Sequence, residues 1–305
     1  MSGVDQTNLL NNLKDIAQKA GLDISEELAK INAKLESSTA LSKTWERVEL
    51  ARHSDRPRTL DYINLIFDNF TELHGDRFFG DDPAMIGGIG FIDGRPVTVI
   101  GTQKGRNLRE TIDRNGGMAN PEGYRKAMRL AKQAEKFKRP IITFIDTQGA
   151  YPGLGAEERG IGEAIAFNLR EFSRLKTPVI CIIIGEGGSG GALGIGVGDK
   201  IYMLENAIFS VISPEGCASI LLRDSSRAKD AAAMLKITSQ EVLDLKVING
   251  IIPEPEKGAH TNPKKTADAI KEQILKDLDD LTKRDPAVLV KYRSKKIRSI
   301  GKYSE

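Results

Sequence analysis

Two segments of the chain carry residues whose types and spacing could do chemistry through the main chain. They are Asp146-Thr-Gln-Gly-Ala-Tyr-Pro-Gly-Leu-Gly-Ala-Glu-Glu-Arg-Gly160 and Gly185-Glu-Gly-Gly-Ser-Gly-Gly-Ala-Leu-Gly194, and thirteen of the 30 glycines lie between Asp146 and Asp199. Glycine is used where backbone turns with positive φ or comes close to another group, so this concentration marks loops that put main-chain groups to use. Each segment follows an apolar β-rich run and leads into a helical pattern, where free N–H groups and the helix dipole favour negative charge. Two such loops facing one cleft could form an oxyanion hole with one donor from each. A donor aimed at developing charge contributes about 2.7–4 kcal/mol.

Side chains offer less. His53, His74 and His260 fall outside both segments, and no HExxH or cysteine cluster suggests a metal. A hydrolase reading of Ser189 is weaker than that of a loop hydroxyl, and Glu157 and Glu158 read first as dipole complements at a helix start. Asp146 reads as a turn-stabilising side chain, and Cys217 as a buried structural cysteine. The run Gly185 to Gly190 is also a literal G-x-G-x-x-G after a strand, with Glu205 at a tempting distance for a ribose. That dinucleotide-binding alternative is weak because the following helix is short and glycine-rich. On the helix from Pro121, Arg125, Arg129, Lys132 and Lys136 recur at three- and four-residue steps. A solvated face is the plain reading, and guidance of a polyanionic substrate such as a phosphorylated coenzyme is the sharper one. Lys104 and Arg106 in the preceding loop point the same way.

The elements that must position these residues follow from pattern. Leu9, Leu10, Leu13 and Ile16, then Ile24, Leu28, Ile31 and Leu35 after the capping pair Asp23 and Glu26, predict an appended helical hairpin. Trp45 to Asp55 continue in helical style until Arg56-Pro57. Ile86 to Ile92 and Pro96 to Thr102 predict strands joined by an Asp93-Gly94 turn. Asn120-Pro121 predicts a helix start by cap and proline, with the helix running to about Phe137. Pro140 to Ile145 and Val179 to Ile184 predict strands, Glu157 to Lys176 one long helix, and Ser189 to Val197 a short one. Lys200 to Leu204 and Ala207 to Ile212 predict further strands, and the stretch from Lys291 a mobile basic end. Strand, loop and helix repeat, which argues an α/β fold.

Composition bounds the rest. The chain has 305 residues, 45 Lys+Arg against 42 Asp+Glu, a net charge of +3 and 40% hydrophobic residues. The excess is too small to indicate nucleic acid, and no apolar run reaches the roughly 20 residues of a membrane helix. Cys181 and Cys217 are far apart and form no CxxC, so a cytoplasmic protein without a disulfide scaffold is expected.

The two glycine segments, with Ser213-Pro-Glu-Gly-Cys-Ala-Ser219 and Pro121-Glu-Gly-Tyr-Arg-Lys126, resemble the α-subunit family of bacterial acetyl-CoA carboxylase carboxyltransferases, over about Leu35 to Leu281. The resemblance implies a crotonase-like (ClpP/crotonase) fold of repeated ββα units at 36–282, with an N-terminal helical extension at 1–35 and a basic tail at 283–305. It implies carboxyl transfer from carboxybiotin, delivered on a biotin carboxyl carrier protein, to acetyl-CoA, giving malonyl-CoA for fatty-acid synthesis. Biotin is then not attached to this chain, no metal is held by it, and ATP is used only by the biotin carboxylase component. The family's backbone donors map to Gly190 and Gly191, with Gly153 and Leu154 as the opposing loop. Arg125, Arg129, Lys104 and Arg106 are the candidates for the coenzyme substrate. The partner is a β subunit bearing a zinc ribbon, in an α2β2 assembly, without which the chain should be inactive. A free-standing crotonase-type acyl-CoA hydratase or isomerase is the other enzymatic alternative.

Overall fold

The computed structural model describes residues 29–30 and 41–301. The apolar stripes expected between Leu9 and Leu35, and the capping pair Asp23 and Glu26, lie outside the described residues. The chain builds one sheet in the order β1-β2-β3-β4-β5-β6-β8, with β7 beside the end of β5. The strands are β1 (Asp68–Glu72), β2 (Met85–Ile92), β3 (Arg95–Thr102), β4 (Ile141–Thr147), β5 (Val179–Gly188), β6 (Lys200–Leu204), β7 (Ile208–Ser210) and β8 (Gly250–Ile252). The first three are antiparallel and all later pairings are parallel. The hairpin of β2 and β3 forms because Asp93 (φ 46) and Gly94 (φ 74) take the left-handed conformations of a two-residue turn. Every residue of β4 is buried, as expected of a parallel strand covered on both faces.

The helices in chain order are α1 (41–51), α2 (Thr59–Ile66), α3 (Leu108–Asp113), α4 (Pro121–Lys136), α5 (Leu154–Glu158) and α6 (Ile161–Arg174). They continue with α7 (Ser189–Leu193), α8 (Pro214–Cys217), α9 (Ala228–Leu235), α10 (Ser239–Asp244), α11 (Pro263–Leu281) and α12 (Pro286–Arg298). The apolar face of α4, with Tyr124, Ala127, Leu130, Ala131 and Ala134, is buried in the main core. Asn120 occupies its N-cap and Pro121 its first turn. The Asn120 side chain does not cap the helix, because its carbonyl oxygen accepts from Arg159 Nη2 at 3.3 Å.

Three expectations are corrected. The single helix expected over Glu157 to Lys176 is two, α5 and α6, broken at Gly160 with φ 80. The second glycine segment is not a loop: β5 runs on through Glu186, Gly187 and Gly188, which pair with β7, and α7 follows directly at Ser189. The stretch expected to be mobile is largely α12, anchored by Arg293. That side chain is fully buried, donates to the carbonyls of Phe172, Leu175 and Thr177, and pairs with Asp199 at 2.6 Å.

Candidate active site

The carboxyl ends of β4 and β5 lie side by side, Thr147 opposite Gly187. From β4 the chain passes through Gln148 to Pro152 into α5, with Gly153 at the N-cap and Leu154 its first residue. From β5 it turns at once into α7, with Gly190 and Gly191 as the second and third helical residues. The two main chains touch. A methyl group on Gly188 would overlap the carbonyl oxygen of Gln148, and one on Gly191 would overlap the carbonyl carbon of Gly149. Gly190 is different, because a methyl group there would meet only Ile165, at 3.7 Å. The amides of Gly190, Gly191 and Leu154 stand in first turns, where the helix offers no carbonyl a turn earlier.

Ser189 sits at this strand-to-helix junction with φ 49 and is exposed, a conformation that costs a non-glycine residue of order 1–3 kcal/mol. The spacing Gly187-x-Ser189-x-Gly191 is the pattern of a nucleophile elbow. No histidine joins it: His53 stacks on His260 at 3.8 Å, and His74 bonds to Asp81 at 2.9 Å. The dinucleotide alternative does not fit, since Gly185, Gly187 and Gly188 lie within β5 and α7 has five residues.

Beneath the loops runs an alternating series of charges. Lys104 Nζ lies 2.7 Å from Asp146 Oδ1 and 2.8 Å from Glu186 Oε2, and Arg52 lies 2.8 Å from Glu186 Oε1 and 2.6 Å from Glu215. Asp146 and Glu186 are buried. Burial alone would lower the Lys104 ammonium, but Asp146 and Glu186 outweigh it and hold it above its ordinary value. Burial alone would raise the Glu186 carboxyl, and Lys104 with Arg52 hold it below the carboxylate range instead. Lys104 and Glu186 are therefore both ionised at neutral pH.

The other basic candidates also have protein partners. Arg125 Nε pairs with Asp76 at 2.8 Å and its Nη1 donates to the carbonyl of Arg159 at 3.1 Å, while Arg129 donates to the carbonyls of Gly75 and His74. Both clamp the 74–82 loop onto α4. Buried Asp82 accepts from the amides of Ala84 and Asn120 in the same clamp, and burial pushes its carboxyl up to about 6. Lys132 pairs with Glu171 of α6 at 2.8 Å, and half-exposed Arg106 pairs with Asp61. Glu157 and Glu158 are exposed, whereas Cys217 and Cys181 are buried, which pushes the Cys181 thiol up to about 11. Among the described residues no group of three or more His, Cys, Asp or Glu could hold a metal ion, and no helix is long and apolar enough to cross a membrane.

The mixed sheet with its helices is the α/β fold of carboxyltransferases and crotonase-like enzymes. It superposes on transcarboxylase 12S, solved with methylmalonyl-coenzyme A and methylmalonic acid, with TM-score 0.61 and 17% identity over 73% of this chain and 41% of that one. It also superposes on a Pseudomonas malonate decarboxylase hetero-tetramer in complex with coenzyme A, with TM-score 0.57 and 18% identity over 72% of this chain and 90% of that one. A family model described as acetyl co-enzyme A carboxylase carboxyltransferase-like matches residues 4–301. The acetyl-coenzyme A carboxylase carboxyl transferase subunit alpha of Treponema denticola is 98% identical over 305 residues, all of both chains. That of Staphylococcus aureus strain bovine RF122 is 54% identical over 302 residues, 98% of this chain and 96% of that one. The chain belongs to the acetyl-CoA carboxylase carboxyltransferase α-subunit family.

Proposed function

We propose that this chain presents the main-chain donors for biotin in a carboxyltransferase whose other half lies on a β subunit. Its family transfers a carboxyl group to acetyl-CoA to form malonyl-CoA, in fatty-acid biosynthesis, as one subunit of a multi-subunit, biotin-dependent carboxylase. When docked, carboxybiotin on its carrier protein supplies the carboxyl group, released as CO2, and a ureido oxygen whose negative charge needs donors while the acetyl methyl group loses its proton. The amides of Gly190 and Gly191, with Gly153 and Leu154 opposite, are aimed at that oxygen. Donors fixed by packing need no reorganisation as charge develops. No histidine base is needed, since the ureido group takes the proton.

The observation that carries this reading is the main-chain contact of the two glycine segments, Gly188 on Gln148 and Gly191 on Gly149. It brings glycine main chain to the surface of the junction, which a flat bicyclic ring can approach closely. Of the four cations considered for the coenzyme, Arg106 is the outward one. Arg125 and Arg129 act on the 74–82 loop, and Lys104 acts on the glycine segments. The family resemblance implies a zinc ribbon on the β subunit, and Cys181 and Cys217 are too few to build one on this chain. The assembly is α2β2 and cytoplasmic, and ATP is spent on the separate biotin carboxylase component.

The test is Gly190→Val in the assembled carboxyltransferase. A Cβ at 190 meets only Ile165, at 3.7 Å, so the variant should fold. Its methyl groups would keep the ring from the Gly190 amide, which should lower carboxyl transfer about 10²–10³-fold, the scale of one oxyanion donor made unusable. Unchanged turnover in the folded variant would remove this loop from the mechanism.

A further inference from the structure

We infer that Lys104 is a positioning residue for carboxyl transfer: its ammonium, held between Asp146 and Glu186, fixes the separation of the two glycine segments and so the aim of their amides. This rests on the donor reading above and adds what holds the donors in place.

Asp146 is the last residue but one of β4, and Glu186 stands two residues before Gly188. Lys104 Nζ reaches both, at 2.7 and 2.8 Å, from the loop that follows β3. The main-chain contact between the segments begins one residue further along each strand, at Thr147 opposite Gly187. The bridge is held on every side. Asp146 Oδ1 accepts from the Glu186 amide at 2.9 Å, the Asp146 amide donates to Thr102 Oγ1 at 2.7 Å, and Arg52 holds the other Glu186 oxygen.

Two glycines outside the cradle make room for the bridge. A methyl group on Gly185 would overlap the Asp146 carboxylate. One on Gly117, at φ +84, would come within 2.7 Å of Lys104 Cγ and 3.1 Å of the Asp146 carbonyl oxygen. Without the ammonium, two buried carboxylates would face each other. With Arg52 left on Glu186 alone, they would move apart or take up a proton, since neighbouring buried carboxylates that lose their common cation disfavour double ionisation. Either response shifts the roots of the two donor segments, and a displacement of about 1 Å at reacting groups costs about 10²-fold in rate.

The experiment compares wild type, Lys104→Met and Lys104→Arg in the assembled carboxyltransferase, following carboxyl transfer from malonyl-CoA to free biotin. Lys104→Met should lower kcat about 10²-fold and leave KM for malonyl-CoA within about twofold. Its rate relative to wild type should rise as pH falls from about 8.5 to 6.5, because a proton shared by the two carboxylates partly restores their spacing. Lys104→Arg should recover about tenfold of the loss. Wild-type kcat in folded Lys104→Met overturns the inference, and so does a change confined to KM, which would make Lys104 a substrate contact. If Lys104→Met does not fold, the triple variant Asp146→Asn, Lys104→Met, Glu186→Gln removes the buried charges. It should show the same kcat loss with a flat rate ratio against pH, and wild-type kcat there is equally fatal. An inactive Gly190→Val beside a normal Lys104→Met sinks only the positioning role, whereas an active Gly190→Val sinks the donor reading beneath it.

Discussion

A single methyl group separates the glycines of the second segment into two kinds. On Gly188 it would run into the carbonyl oxygen of Gln148, a backbone atom that cannot rotate away, whereas on Gly190 it meets only the Ile165 side chain at 3.7 Å. Gly188→Ala should therefore lower stability by about 1–3 kcal/mol or more, while Gly190→Ala should stay within about 1 kcal/mol. Urea denaturation of the two variants measures the difference, and equal midpoints would mean that the segments do not pack main chain to main chain. The composition shows the glycines but not this division, because the neighbours, Gln148 and Ile165, belong to segments distant along the chain. The spacing from Gly187 to Gly191 around Ser189 is visible in the same way, but its φ of 49 belongs to the turn.

At the level of elements, legibility follows the range of the forces involved. The β2–β3 hairpin and the start of α4 can be read directly, since Asp93-Gly94 and Asn120-Pro121 act on the chain within a few residues. The end of β5 cannot, because what makes Glu186 to Gly188 a strand is pairing with β7, a segment about 20 residues downstream. The last helix is the clearest case. Its many Lys and Arg residues read as a solvated tail, yet Arg293 reaches carbonyls of Phe172, Leu175 and Thr177 and the carboxylate of Asp199. Only the fold brings those acceptors together. Arg293→Met would leave Asp199 buried without its cation, and breaking such a pair costs about 3–5 kcal/mol. Hydrogen exchange should then show residues 286–298 losing protection while β4 and β5 keep theirs. Unchanged protection would mean that Leu289 and the rest of the helix hold the contact without the arginine.

For the whole molecule, the question is how much of an active site one chain holds. Carboxyl transfer develops negative charge in two places, on the biotin ureido oxygen and on the thioester oxygen of the acetyl enolate, and both require donors. On the proposed reading the contact of β4 and β5 builds one cradle, and the β subunit supplies the donors for the second charge. The surface agrees with a missing partner: Leu154, next to Gly153, is 75% exposed, and Phe78, Val211 and Ile220 are 84%, 78% and 68% exposed. Exposed apolar side chains beside the donor segment, such as Leu154, are what a covering partner would bury. The purified chain should accordingly form no malonyl-CoA from acetyl-CoA and carboxybiotin. Turnover should appear on addition of a zinc-ribbon β subunit, together with an increase in mass by light scattering. Turnover by the chain alone, equal to that of the mixture, would place both sets of donors on this chain and end the half-site account.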